Sequence, residues 1–215
     1  MRIIPGILTS NKNAFNKLVD EAEGATERIH VDFIDGEYAD NTTFEPIEIE
    51  VTRYLGNFDA HLMVASHNLE DWVTEVIMSG FERVIVHVES VVGQIDMVRK
   101  IKRKDCSVGL AIDLQTPVSK ISKEVYEMVD CILVMGVQAG FDGQKFDSRV
   151  LKKVKKLKEI KNKRSHEFTI SVDGGVSAEN INSISEAGAD EVIVGKRIFY
   201  PDLQGNIDEL ENALK

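Results

Sequence analysis

Four residues have the types and the spacing that metal-assisted proton chemistry needs. His30 and Asp32 stand two apart in Ile29-His30-Val31-Asp32-Phe33-Ile34, so on an extended strand both side chains leave the same face. His61 closes the run Phe58-Asp59-Ala60-His61, and Asp173 closes Ser171-Val172-Asp173. Two imidazoles and two carboxylates brought to one point form a mixed nitrogen and oxygen site for one divalent ion such as Zn²⁺, Fe²⁺ or Mn²⁺. Singly, a histidine or aspartate at a strand end is more often just a hydrogen-bonded polar residue. Four of them at matching strand ends carry the metal reading.

The elements that must position these groups alternate along the chain. Runs rich in Val, Ile and Leu occur at Ile3–Leu8, Arg28–Ile34, Asp59–Val64, Arg83–Val88, Val108–Asp113, Cys131–Met135, Phe168–Val172 and Glu191–Val194. Their near-continuous apolar character is that of parallel strands covered on both faces. Amphipathic segments lie between them at Ala14–Glu23, Leu69–Met78, Val91–Lys102, Arg149–Lys161 and Ala178–Ala187, with a weaker helical pattern around Pro46–Tyr54. About eight strand–helix units in this length fit an α/β fold of the (β/α)₈ barrel (TIM barrel) type, with a doubly wound open sheet as the alternative. The catalytic candidates fall at the C-terminal ends of strands, where barrel enzymes place their chemistry. No Pro/Ser-rich linker divides the chain, so residues 1–215 are read as a single domain.

Composition narrows the partners. A formal net charge of −10 disfavours nucleic acid and anionic membrane, which a field of that sign repels. The basic run Lys152–Arg164 has Leu151, Val154, Leu157 and Ile160 at helical spacing, which makes it a solvated helix face. No apolar stretch approaches the ~20 residues of a membrane span, and the apolar start is too short for a signal peptide. Cys106 and Cys131 sit in or beside apolar runs and read as reduced thiols in a cytoplasmic protein.

Longer motifs add a resemblance. Ile4-Pro5-Gly6-Ile7-Leu8, His30-Val31-Asp32-Phe33-Ile34-Asp35-Gly36, His61-Leu62-Met63-Val64, Val86-His87-Val88-Glu89, Gly140-Phe141-Asp142-Gly143-Gln144 and Val172-Asp173-Gly174-Gly175 resemble the ribulose-phosphate 3-epimerase family in order and spacing. The resemblance runs from the first strand to the eighth. It implies that His30, Asp32, His61 and Asp173 hold the divalent ion, and that Asp32 and Asp173 also act as the acid/base pair on opposite faces of the substrate. It further implies substrate contacts at Gly6, His61, Gly140, Phe141, Asp142, Gly143, Gly174, Gly175, Gly195 and Lys196, with Met63 and Met135 beside the reacting carbon. The phosphate would rest on backbone N–H groups rather than on a basic cluster. The implied substrate is a small phosphorylated ketose, and the implied assembly a homo-oligomer, dimer or hexamer.

Several positions depart from that pattern. Gly6 replaces a usual serine, Ala139 a proline, Asp142 a glycine and Lys196 a serine, and Asp113-Leu114 replaces a polar-proline pair. Asp142 and Lys196 are expected to form a compensating ion pair over the phosphate, leaving the Lys196 N–H free. His87 and Glu89 are read as supports inside the barrel. Asp35 is read as ordering a turn, Trp72 as helix packing, and His67 and His166 as exposed loop residues. Rival readings are a six-carbon ketose-phosphate 3-epimerase of the allulose 6-phosphate type and a non-catalytic phosphate-binding barrel. Barrels that decarboxylate or condense aldehydes use a strand lysine, which the second strand lacks.

Overall fold

Eight parallel strands close on themselves in sequence order. The computed structural model describes residues 1–54, 56–164 and 166–214. The strands are β1 (Arg2–Ile7), β2 (Arg28–Ile34), β3 (Asn57–Met63), β4 (Arg83–His87), β5 (Ser107–Ile112), β6 (Cys131–Met135), β7 (Thr169–Asp173) and β8 (Glu191–Val194). Helices α1 (Lys12–Ala22), α2 (Leu69–Met78), α3 (Gln94–Lys102), α4 (Val150–Arg164), α5 (Ile181–Ala187) and α6 (Leu203–Asn212) surround them. The closed barrel decides against the open sheet.

Two connections differ from a full set of strand–helix units. Between β5 and β6 the chain makes only 3₁₀ turns, at Val118–Lys120 and Lys123–Glu127. Between β2 and β3 the expected helix around Pro46–Tyr54 is a single 3₁₀ turn, Pro46–Glu48. The reason is local: Ile47, Ile49 and Val51 are β-branched and spaced by two, a pattern that favours extended backbone. Ile49 accordingly takes φ −127°, ψ 151°.

Helix ends follow capping chemistry. The Asn11 side chain accepts the N–H groups of Asn13 and Ala14 at 2.9 and 3.0 Å, satisfying two of the free donors that start α1. Gly188, at φ 111°, ends α5 in the left-handed region that glycine enters without penalty.

Alternation along each strand splits the core in two. Ile29, Val31 and Phe33 point outward into the large cluster between sheet and helices, where Phe33 meets Phe44 and Phe81 edge-to-face at 5.8 and 5.4 Å. Such ring pairs add about 0.5–1.5 kcal/mol each beyond their burial. Ile4, Ile34, Met63, Ile85, Leu133 and Ile193 form a smaller cluster inside the barrel.

The N-terminal half of the interior is charged. Asp59 accepts from Arg28 at 2.5 Å and from Arg83, and Arg83 also reaches Glu191 at 3.0 Å. Glu191 further accepts from Ser171 and Arg2, at 2.7 and 2.9 Å. Each buried charge thus has an opposite charge and hydrogen bonds, the condition under which burial is tolerated. His166 corrects an expectation: it is 9% exposed and stacks on Tyr126 with ring centroids 5.9 Å apart. Its backbone N–H donates to the Lys161 carbonyl at 3.0 Å.

Candidate active site

Register lifts the four candidate ligands to one end of the barrel. Asp32 pairs with His61 across β2 and β3, and Asp173 ends β7 beside Met135. His61 Nδ1 lies 2.8 Å from Asp32 Oδ1 and 3.7 Å from Asp173 Oδ2, and His30 Nε2 lies 3.4 Å from Asp32 Oδ1. One ligand atom from each of the four falls within 4.8 Å of the others. The histidines are wholly buried and form the floor, while the two aspartates reach the cavity above.

The donor set fits a divalent ion. Both ring nitrogens of His30 are buried without a hydrogen-bond partner, the nearest carboxylates being 3.4 and 3.8 Å away. Burial disfavours a charge on this ring, yet Asp32 and Asp59 outweigh burial and raise its pKa to about 10. The surrounding carboxylates thus call for a cation at this spot, and two histidine nitrogens with two carboxylate oxygens suit one. Burial drives His61 the other way, to about 4, with the neighbouring His87 and His30 rings adding to it and despite the Asp32 carboxylate.

The two carboxyl groups are held in different states. Burial opposes ionisation of Asp32, but His30 and His61 overcome it and hold this group well below the usual carboxylate range. Burial and the Asp32 charge push Asp173 up. Like charges in one dry site cannot both ionise at their ordinary pH.

Above the ligands lies a cavity of about 650 Å³. Its lining includes Asp32, Met63, Met135, Gly140, Phe141, Asp142, Gly143, Asp173, Gly174, Gly175, Gly195 and Lys196. Gly6 and His61 are outside that lining. A Cβ on Gly6 would come within 2.8 Å of the Ile193 Cγ2 methyl, which accounts for glycine rather than serine here. Gly174 and Gly175 take φ 98° and 70°, and a Cβ on Gly175 would strike the Phe146 backbone N at 2.5 Å. Only glycine allows this close approach of two loops.

At the far end of the cavity the geometry departs from expectation. The Asp142 carboxylate itself lies over Gly195, with Oδ1 2.8 Å from where a Cβ would stand. Among the described residues no side-chain ion pair joins Asp142 to Lys196 within 4.0 Å, and both side chains are exposed. Burial and the Asp32 charge raise the Asp142 pKa, with the Lys196 ammonium opposing them from a distance. Gly195 is followed by a short 3₁₀ turn, Lys196–Phe199.

Beneath the site His87 stands as the support inside the barrel that the sequence suggested, while its partner Tyr38 and the nearby Asp59 were missed. His87 Nε2 contacts His61 Nε2 at 2.8 Å, and its Nδ1 contacts Tyr38 Oη at 2.8 Å. Asp59, two residues before His61 on the same face, was a readable signal; Tyr38, in a loop, offers no periodicity. Asp35 does order its turn, accepting from Glu37, Tyr38, Ala65 and Asn68. His67 is exposed, beside Glu37.

Fold and site together define a parallel barrel with a two-histidine, two-carboxylate cluster at its C-terminal mouth. Residues 2–199 match the model of the ribulose-phosphate 3 epimerase family. The chain belongs to the ribulose-phosphate 3-epimerase family, which is a family of isomerases. It is 31% identical to "Ribulose-phosphate 3-epimerase" of Treponema pallidum over 94% of this chain and 93% of that protein. It is 30% identical to the Bacillus subtilis protein of the same name over 99% of each, and 33% identical to the chloroplastic "Ribulose-5-phosphate-3-epimerase" of Arabidopsis thaliana over 92% and 71%. Among solved structures, a 3-hexulose-6-phosphate synthase superposes with TM-score 0.73 at 16% identity over all of both chains. The 3-keto-L-gulonate-6-phosphate decarboxylase of Vibrio cholerae does so with TM-score 0.73 at 11% identity, over 99% and 97%. At that identity the likeness is one of fold. Among the described residues, no helix is long and apolar enough to cross a membrane.

Proposed function

We propose that the protein interconverts D-ribulose 5-phosphate and D-xylulose 5-phosphate by moving a proton off one face of C3 and onto the other. The observation that carries this reading is the placement of two carboxyl groups, Asp32 on β2 and Asp173 on β7, in the wall of one cavity with β1 and β8 between them. A single base returning its proton to the same face regenerates substrate, whereas two groups on different walls invert the carbon. Their unlike states suit this exchange. Asp32, held ionised, takes the proton on its carboxylate oxygen, and Asp173, pushed up, carries the one to be given. In the reverse direction the roles exchange.

His30, Asp32, His61 and Asp173 would hold one divalent ion, Zn²⁺, Fe²⁺ or Mn²⁺. When bound, it stabilises the negative charge that develops on the substrate oxygens between the two proton transfers. Met63 and Met135 line the cavity beside the carboxylates and exclude water from the reacting carbon. Gly140–Gly143, Gly174–Gly175 and Gly195–Lys196 offer the backbone that would meet the phosphate. The same reading makes the protein a cytoplasmic homo-oligomer; it is supported by family membership and two free cysteines.

The test is a coupled epimerase assay on five- and six-carbon ketose phosphates with the metal-loaded protein, run beside Asp173→Asn. Removing a general acid costs about 10²–10⁴-fold, so the variant should lose at least about 100-fold in kcat with metal content unchanged. Near-normal turnover in the metal-loaded variant would rule out the pair, and turnover only on the six-carbon substrate would reassign the substrate.

A further inference from the structure

The hydrogen-bond chain beneath the four-residue cluster ends at two residues, Tyr38 and Asp113, that belong neither to the cluster nor to the cavity lining. Tyr38 Oη has one hydrogen, which it donates to Asp113 Oδ2 at 2.5 Å. The same oxygen contacts His87 Nδ1 at 2.8 Å, and that contact requires the hydrogen to sit on Nδ1. Glu89 Oε2 and Asp113 Oδ1, at 3.4 and 3.8 Å, add two more acceptors on that side. In a neutral ring, His87 Nε2 then presents a lone pair to His61 Nε2, 2.8 Å away. This contact is a hydrogen bond only when His61 carries its hydrogen on Nε2. His61 Nδ1 is left with a lone pair facing Asp32 Oδ1 at 2.8 Å and Asp173 Oδ2 at 3.7 Å. Two acceptors that close repel each other unless a cation is shared between them.

We propose that Tyr38 and Asp113 are positioning residues that set the tautomers of His87 and, through it, His61, so that His61 Nδ1 is delivered as a metal ligand. The reverse tautomer would put a hydrogen on Nδ1, pointing at the site the ion must occupy. Both residues are themselves fixed. The Tyr38 backbone N–H is held by Asp35 Oδ1 at 2.9 Å, and the Tyr38 ring lies against His87 with centroids 4.8 Å apart. The Asp113 N–H donates to Glu89 Oε1 at 2.9 Å, and Lys153 caps the Asp113 carbonyl at 2.6 Å. The proposal rests on the metal reading of the His30, Asp32, His61 and Asp173 cluster, and it holds whatever sugar the cavity accepts.

Partners of metal-bound histidines typically carry a 10- to 100-fold effect on affinity. Tyr38→Phe keeps the ring on His87 and removes only the hydroxyl, so Zn²⁺ affinity measured by chelator competition should fall by roughly that factor. Asp113→Asn, which lets the Tyr38 hydrogen turn toward His87 Nδ1, should weaken Zn²⁺ as well and give a non-additive double variant. Nitrogen-15 spectra of the Zn²⁺-loaded wild type should show His61 protonated on Nε2 and His87 on Nδ1. A merely structural role would lower the stability of metal-free and loaded protein equally, whereas this one demands a larger loss in the loaded form. Unchanged Zn²⁺ affinity in both single variants, or a hydrogen on His61 Nδ1 in the loaded wild type, overturns the proposal. A wild type that binds no Zn²⁺, Fe²⁺ or Mn²⁺ overturns the metal reading first and this one with it.

Discussion

Asp142 is the residue whose chemistry runs against its neighbours. Its carboxylate lies over Gly195, with Oδ1 2.8 Å from where a Cβ would stand, beside the type of backbone donor on which a phosphate would rest. A phosphate ester entering the cavity must displace that carboxylate and then lie close to it. Like charges side by side in a partly desolvated cavity repel, so Asp142→Gly should lower the KM for a ketose phosphate by roughly tenfold and leave kcat little changed. The inhibition constant for inorganic phosphate should fall in parallel. A KM that does not move, or that rises, contradicts this arrangement and leaves Asp142 as a solvated loop residue. The direction was not readable beforehand. Charge signs in the sequence pointed to an ion pair with Lys196, but sequence does not say which way a short carboxylate on a loop turns. That His30, Asp32, His61 and Asp173 meet at one point was legible for the opposite reason: strand periodicity fixes the face of each.

At the scale of elements, the barrel interior joins stability to the site. Asp59 on β3 stands beneath His30 and between Arg28 and Arg83, on β2 and β4. Burial alone would raise its pKa, but His30, Arg83 and Arg28 overcome that and hold it at about 2, against the ordinary 3.8. A carboxylate whose pKa is lower in the folded state stabilises the fold above its unfolded pKa. That contribution is lost as pH falls through the folded value. The shift corresponds to about 2 kcal/mol, present at neutral pH and lost between about pH 4 and pH 2. Urea unfolding midpoints taken across this range in chelator should fall more steeply for wild type than for Asp59→Asn, while the variant is already about 3–5 kcal/mol less stable at pH 7. Equal slopes would show that Asp59 does not couple to the fold in this way. Element positions were largely legible: β2, β6 and β8 match their expected spans, since buried parallel strands leave continuous apolar runs. The connection through Pro46–Glu48 was not, because a β-branched stretch of period two overlaps a weak helical pattern. The buried place of His166 was hidden by the polar residues around it, since stacking on Tyr126 comes from a tertiary turn.

For the whole molecule, the closed barrel places the sequence's mixed ligand set at a single buried point that the unfolded chain cannot assemble, with His30 on β2, His61 on β3 and Asp173 on β7. Binding at such a point is folding energy. At a free metal concentration about 100 times Kd, the native state gains about 2.7 kcal/mol. In a domain of this size each kcal/mol moves Tm by about 2–4 °C. Adding Zn²⁺ or Mn²⁺ to chelated protein should therefore raise Tm by about 5–11 °C, with the shift growing as metal concentration rises. His30→Ala isolates the cause. Both of its ring nitrogens are buried and unpartnered, so deleting the ring should cost the metal-free protein less than an ordinary core truncation, offsetting lost packing against relief of an unsatisfied polar group. The same deletion should nearly abolish the metal-induced rise in Tm. A rise of equal size in wild type and His30→Ala would place the ion elsewhere on the barrel, and no rise in wild type would detach the cluster from metal binding altogether.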